Sequence, residues 1–190
     1  MPSLVGSEMC IRDSKYGVHL ENGKNFIVEK CTFYANTDGG LYFENAENAT
    51  LRQTDLTDKI GVHFKTVKDA EVYANTFTDT ENIGLYAYNS EDMIVANNYF
   101  DGGGKGIFLE ESKKCTLKNN NLTLCKDYGI YLLNSEECTI SGGVISGTEI
   151  SVYLKDSSYN ELSELNISYE KNGAPTGILL FHSDHNTLSE

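Results

Sequence analysis

The sequence predicts an all-β solenoid, a chain wound into seven to eight stacked turns of about 22 residues with three short strands per turn. Three observations predict it. First, laying the chain against itself aligns segments that begin YGVHLENG, GLYFENAE, GVHFKTVK, GLYAYNSE, GIFLEESK, GIYLLNSE, SVYLKDSS and GILLFHSD. Their marker residues Gly17, Gly40, Gly61, Gly84, Gly106, Gly129, Ser151 and Gly177 recur at intervals of 21 to 26 residues, the signature of a repeat architecture. Second, apolar residues within each repeat keep to fixed columns with period two, as half-buried strands require. Third, asparagine and glycine recur in columns between the apolar ones, where the chain must bend.

The elements follow in order around one turn. The first strand carries Val18, Leu41, Val62, Leu85, Ile107, Ile130, Val152 and Ile178, and two residues later Leu20, Phe43, Phe64, Ala87, Leu109, Leu132, Leu154 and Leu180. A bend column holds Asn22, Asn45, Asn89 and Asn134. Asparagine tolerates the left-handed conformation of a sharp bend, and stacked amides can bond along the column. The second strand centres on Val28, Leu51, Val72, Val95, Leu117, Ile140, Leu162 and Leu188. Asn75, Asn98 and Asn120 form the next bend column, and the third strand holds Phe33, Leu56, Phe77, Phe100, Leu122, Ile145 and Ile167. The glycine column is expected at a further bend, where a side chain is unwelcome. A unit this short cannot close a core alone, so like strands of successive turns must stack in parallel, about 4.8 Å apart.

Composition narrows function. The 190 residues carry 28 acidic and 15 basic side chains, a net charge of −13 without a basic block, which disfavours DNA and RNA as partners. No apolar run approaches the roughly 20 residues of a membrane span, and the chain shows no basic start followed by an apolar signal segment. Cys10, Cys31, Cys115, Cys125 and Cys138 are odd in number and lack a CxxC spacing, against both a disulfide framework and a zinc site. Cys115 and Cys138 share an inward column with Phe26, Ala49, Ala70, Met93, Asn160 and Asn186, and read as stacked buried thiols.

The repeated G-[VLI]-[HYF]-[LFA] start, followed by the serine, apolar and N-x-[FL] columns, resembles the right-handed parallel β-helix repeats of the pectin-lyase-like superfamily. The resemblance spans some 175 residues and implies a secreted, cell-surface or periplasmic protein. It is specific for fold and poor for chemistry, because that superfamily includes polysaccharide lyases, glycoside hydrolases, epimerases, phage tail proteins and adhesins.

Function is expected on the outward columns of the first strand. His19, Tyr42, His63, Tyr86, Phe108, Tyr131, Tyr153 and Leu179 alternate with the buried columns, so rings recur about every 4.8 Å along one face. Tyr42, Tyr86, Phe108, Tyr131 and Tyr153 offer apolar faces on which sugar C–H faces could stack; a poly- or oligosaccharide is the expected partner. The other reading is that the rings only strengthen a parallel ladder. The next outward column begins Glu21, Glu44, Lys65, and these with His19 and His63 form the candidate catalytic patch. Glu21 and Glu44 one rung apart suit the roughly 5 Å carboxylate separation of retaining glycosidases, one with a raised pKa beside the other. A lyase or epimerase would use Lys65 or a histidine as base, with Tyr42 or a histidine as acid. The alternative to all of these is a non-catalytic structural or adhesive β-helix.

Other motifs carry less. Asn36-Thr37-Asp38-Gly39 is similar to one polygalacturonase motif, but the partner motifs of that family are missing, and a turn is the better reading. His182-Ser183-Asp184-His185 falls on the serine turn column without a third ligand nearby, so no metal and no cofactor are expected. Residues 1–14, MPSLVGSEMCIRDS, break the periodicity and resemble translated sequencing-adapter sequence; they are expected to be a non-native or disordered leader, with the β-helix domain spanning 15–190. Neither end shows a capping helix, which points to a domain truncated at both ends. Around 169–176 one bend is lengthened by three or four residues.

Overall fold

The computed structural model describes residues 3–169 and 175–190, with side chains from residue 9 onward. The described residues form a parallel β-solenoid without a helix. The first strands of the turns, Tyr16–Glu21, Gly39–Glu44, Ile60–Lys65, Ile83–Tyr88, Lys105–Glu110, Tyr128–Leu133, Ile150–Lys155 and Thr176–Phe181, form one 8-stranded sheet, here the long-strand ladder. The second and third strands of each turn are mostly three residues long and form two more ladders. These are joined into a 15-stranded sheet because Lys24–Tyr34 runs through both before the later turns divide.

The core lies where the inward columns meet. Leu41, Phe43, Leu51 and Leu56 of one turn are buried, as are Leu85, Ala87, Val95 and Phe100 of another. Phe77 and Phe100 stack with centroids 4.4 Å apart, as identical residues in successive rungs of a parallel ladder can.

Polar residues stitch the bends. Asn22, Asn45, Asn89 and Asn134 have φ between 48° and 55°, the left-handed conformation expected of them, and the Asn45 amide donates to Asn22 Oδ1 at 3.3 Å. The column of Asn75, Asn98 and Asn120 works differently. There the left-handed residue is the preceding one, Ala74, Asn97 or Asn119, while the asparagine side chain turns into the core. Asn98 Oδ1 accepts from the Asn75 backbone and side-chain nitrogens at 3.0 Å each, and its Nδ2 donates to Val72 O at 2.9 Å. A serine column does the same elsewhere, each hydroxyl accepting from the backbone of the turn before it, from Ser90 through Ser112 and Ser135 to Ser157. Asn160 likewise bonds Asn186 and the Ser135 carbonyl. Among the described residues no buried side-chain nitrogen or oxygen lacks a partner, as a buried polar column requires.

The glycine column is not a bend. It sits inside the long strands at ordinary φ, and its cause is close approach: a Cβ on Gly84 would lie 2.6 Å from the Phe100 ring and 2.8 Å from the Gly106 carbonyl oxygen. The third-strand side chain fills the space that a Cβ would need.

On an exposed bend, Lys24, Glu47, Lys68, Glu91, Lys113 and Glu136 pair rung to rung in strict alternation of sign. Lys24 bonds Glu47, Lys113 lies 2.6 Å from Glu136, and Lys68 lies 3.9 Å from Glu91.

Ser3–Arg12 forms a strand pairing in parallel with Lys24–Tyr34, with a register shift between Val5 and Met9, and Ile11 packs against the core. The edge of the first turn presents unpaired backbone groups, and an extended segment placed there satisfies them. The lengthened bend falls largely on 170–174, outside the described residues.

Candidate functional site

The long-strand ladder presents the outward residues in the register that alternation predicts. His19 pairs with Tyr42, Tyr42 with His63, and so on through Tyr86, Phe108, Tyr131 and Tyr153 to Leu179. Ring centroids of neighbours from His63 to Tyr153 are 4.7 to 5.0 Å apart. The rings from Tyr86 onward are nearly parallel, with 16°, 5° and 8° between successive planes.

That stacking corrects the expectation of flat faces open to a ligand. Each ring covers the face of the next, so the ladder exposes rims and hydroxyls rather than faces. Tyr42 breaks the pattern, standing edge-on to both His19 and His63 at 86° and 84°, and it stacks instead on Tyr16 with centroids 4.9 Å apart. The ladder is therefore in two parts, a polar part of mixed geometry at His19 to His63 and an aromatic part from Tyr86 to Tyr153.

In the polar part the five candidate residues come together. Glu21 and Glu44 are rung neighbours, and Glu44 is followed by Lys65. Each carboxylate has its own partner: Glu21 lies 2.9 Å from His19 Nε2, while Glu44 accepts from the Tyr42 hydroxyl at 2.6 Å and pairs with Lys65 at 2.9 Å. Those bonds hold the Glu44 pKa below the ordinary carboxylate range, the reverse of the raised value expected of one carboxylate beside another. The Tyr42 hydrogen bond is the largest contribution and Lys65 the next. Glu44 also pushes the Lys65 pKa up, so Lys65 stays charged and is a poor base. Burial lowers the His63 pKa, helped by Lys65 and opposed by Glu44, which leaves a neutral imidazole able to accept a proton at neutral pH. Tyr42, raised first by burial and then by Glu44, stays protonated and can donate. The patch thus offers Glu44 and His63 as acceptors beside Tyr42 and Lys65 as donors, an arrangement suited to general acid–base work.

Three neighbours were not singled out from the sequence. Tyr16 and Tyr128 belong to a third outward column, one residue before each glycine, that also holds Ile60, Ile83, Lys105 and Ile150. Tyr128 packs 5.0 Å from Tyr131 and 5.6 Å from Tyr153, broadening the aromatic part. Glu110 accepts from the Tyr86 hydroxyl at 2.5 Å, much as Glu44 does from Tyr42. The signal for the third column was its period, masked by the adjacent glycines.

The remaining motifs lie apart. Asn36 donates from its backbone and side chain to the buried Asp58, at 2.6 and 3.2 Å, and so serves the bend. His182 faces Asp156 at 3.4 Å, and His185 stacks on Tyr159. Cys115 and Cys138 are buried free thiols.

The family model described as a right-handed beta helix region matches residues 7–144 and 105–190. A double mutant of the periplasmic alginate epimerase AlgG superposes with a TM-score of 0.75 at 19% identity, covering 94% of this chain and 49% of that one. The DFA-IIIase from Arthrobacter chlorophenolicus, in complex with GF2, gives 0.71 at 13% identity, covering 86% of this chain and 53% of that one. The chain therefore spans about half the length of these structures, and identities this low establish a shared fold. A search of curated proteins by sequence found no match.

Proposed function

We propose a function from one premise: the chain belongs to the family of right-handed β-helix regions. On that premise we read it as a carbohydrate-binding, polysaccharide-processing β-helix domain whose polymer lies along the long-strand ladder. The observation that carries the reading is the continuous row of half-buried rings from Tyr86 to Tyr153, spaced as regularly as the backbone, leading into a patch where Tyr42 contacts both His63 and Glu44, and Glu44 pairs with Lys65. The aromatic part binds, and bond chemistry takes place at the polar part, with Glu21 and His19 completing the patch. Solved structures of the same fold that are named as an alginate epimerase and a DFA-IIIase support this assignment, and the first is named as periplasmic, which supports a setting outside the cytoplasm.

One observation favours the second reading, a structural or adhesive β-helix. The rings spend their faces on one another, which is what a ladder serving stability alone would do. Titration with a broad oligosaccharide panel, followed by tyrosine chemical shifts, separates the two. Binding that weakens at least about tenfold in Tyr131→Ala supports the first reading. No shift with any glycan favours the second. If turnover of a bound glycan is found, its loss in Glu44→Gln with binding retained assigns the chemistry to the patch, and unchanged turnover removes it.

A further inference from the structure

The chemistry of the ligand is legible in how the charges on the long-strand face are spent. Its cations are Lys65, Lys105 and Lys155. Lys65 is tied to Glu44 at 2.9 Å, and Lys105 lies 3.9 Å from Asp127 and 5.8 Å over the Tyr128 ring. Lys155 has no ion pair among the described residues and lies at the aromatic end, far along the ladder from the patch; at the strand starts Lys59 has none either, and Lys15, 3.6 Å from Asp38, lies 5.4 Å over the Tyr16 ring. Neither arginine is available: Arg12 faces Asp13, and Arg52 is bonded to Glu29 and Tyr73 on the second-strand ladder. The patch's own cation, Lys65, is therefore already paired, and a carboxylated sugar would have to compete with Glu44 for it.

Its acceptors, in contrast, are not exhausted. Two carboxylates on the face take a hydrogen from a ladder ring, Glu44 from Tyr42 and Glu110 from Tyr86, while Glu21 lies 2.9 Å from His19 Nε2. The contacts of Glu21 and Glu110 each engage one oxygen, leaving Glu21 Oε2 and Glu110 Oε1 without a partner among the described residues. A carboxylate offers about four lone-pair sites, so both retain room for donors. Sugar hydroxyls are such donors, and a stacked row of ring rims flanked by carboxylates presents acceptors to them along its length. A uronate polymer would instead set a negative charge on every residue against Glu21, Glu44 and Glu110, on a chain already at −13.

We propose that the long-strand face accepts a neutral, polyhydroxylated glycan and rejects uronate polymers. This rests on the carbohydrate reading given above and narrows it. Proton abstraction at C5 of a uronate, the route of lyases and epimerases, builds charge that a nearby cation must accept, and Lys65 is already committed to Glu44.

The test is calorimetric titration of the whole chain with length-matched neutral and uronate oligosaccharides, at low and at physiological ionic strength. Neutral glycans are expected to bind with affinity insensitive to salt, because no charge is paired on binding. Uronates are expected to bind at least about tenfold more weakly, as a like charge brought near a surface carboxylate would cost. Glu110→Gln should narrow that preference, and circular dichroism checks that the variant is folded. Uronate binding as tight as or tighter than neutral binding overturns this inference while leaving the carbohydrate reading in place. Binding of neither class overturns both.

Discussion

Removing the Asn98 side chain tests the claim that buried amide columns hold the turns together. Asn98 makes four side-chain hydrogen bonds: two to Asn75 at 3.0 Å, one to Val72 O at 2.9 Å and one to Asn120 Oδ1 at 3.0 Å. In Asn98→Ala the Asn75 side chain keeps Leu51 O, and Asn120 Oδ1 keeps the Asn98 backbone. The Asn75 backbone N–H keeps nothing, and it is buried. An orphaned buried donor costs about 1–3 kcal/mol and each further lost bond about 0.5–1.5 kcal/mol, so the substitution should cost about 3–4 kcal/mol. Against a typical stability of about 5–15 kcal/mol this is a large fraction. Urea denaturation should show the midpoint fall by about 1–4 M, given the usual slope of about 1–3 kcal/mol per molar urea. Lys118→Ala, on an exposed position one strand away, should stay within about 0.5 kcal/mol. Because each turn contacts only its neighbours, amide exchange should accelerate mainly in the turns of Asn75 and Asn98. A cost below about 1 kcal/mol for Asn98→Ala, or an equal loss in Lys118→Ala, would refute the argument.

Two further outcomes follow from the same geometry. Gly84→Ala should destabilise by about 1–3 kcal/mol through overpacking against Phe100 and the Gly106 carbonyl, whereas Gly177→Ala, whose nearest neighbour atom is 3.9 Å away, should be tolerated; equal thermal midpoints for the two would undo the packing explanation. Burial raises the Asp58 pKa, with the Asn36 hydrogen bonds opposing it, so its proton is held more tightly in the folded state. The contribution is then fully present below the unfolded value of 3.8 and is lost as pH rises through the folded value. Asp58→Asn, which retains an acceptor for Asn36, should gain stability relative to wild type as pH rises across that window; a difference that is flat with pH, measured by chemical denaturation, would contradict it.

The fold was legible because a stacked turn repeats its physical constraints. Val62, Leu85 and Ile107 meet the same neighbours in successive rungs, so the buried columns appear in the sequence as columns. What each polar column does was less legible. Asn45 and Asn98 are the same residue type at the same kind of interval, yet one takes a left-handed backbone and the other turns an amide into the core. The difference depends on whether the left-handed residue is the asparagine or the one before it, a shift of one position that spacing alone does not resolve. The glycines were misassigned for a related reason: the ring that excludes a Cβ at Gly84 comes from Phe100, on another strand of the same turn. The candidate residues were located by alternation, but their protonation was not. The lowered pKa of Glu44 follows from a phenol two residues away in its own strand and a lysine on the next rung, side-chain directions that period two does not specify.

The alternating bend column has a consequence for how such a chain can lengthen. From Lys24 to Glu136 the sign reverses at every rung, so each turn carries a parity. Copying one turn into this stretch would bring two like charges into adjacent rungs and set them against each other. Copying two would preserve the alternation. Sliding the stack by a single rung meets the same penalty, and sliding by two does not. In this column the heritable unit is therefore a pair of turns, about 45 residues, twice the repeat that the apolar columns display.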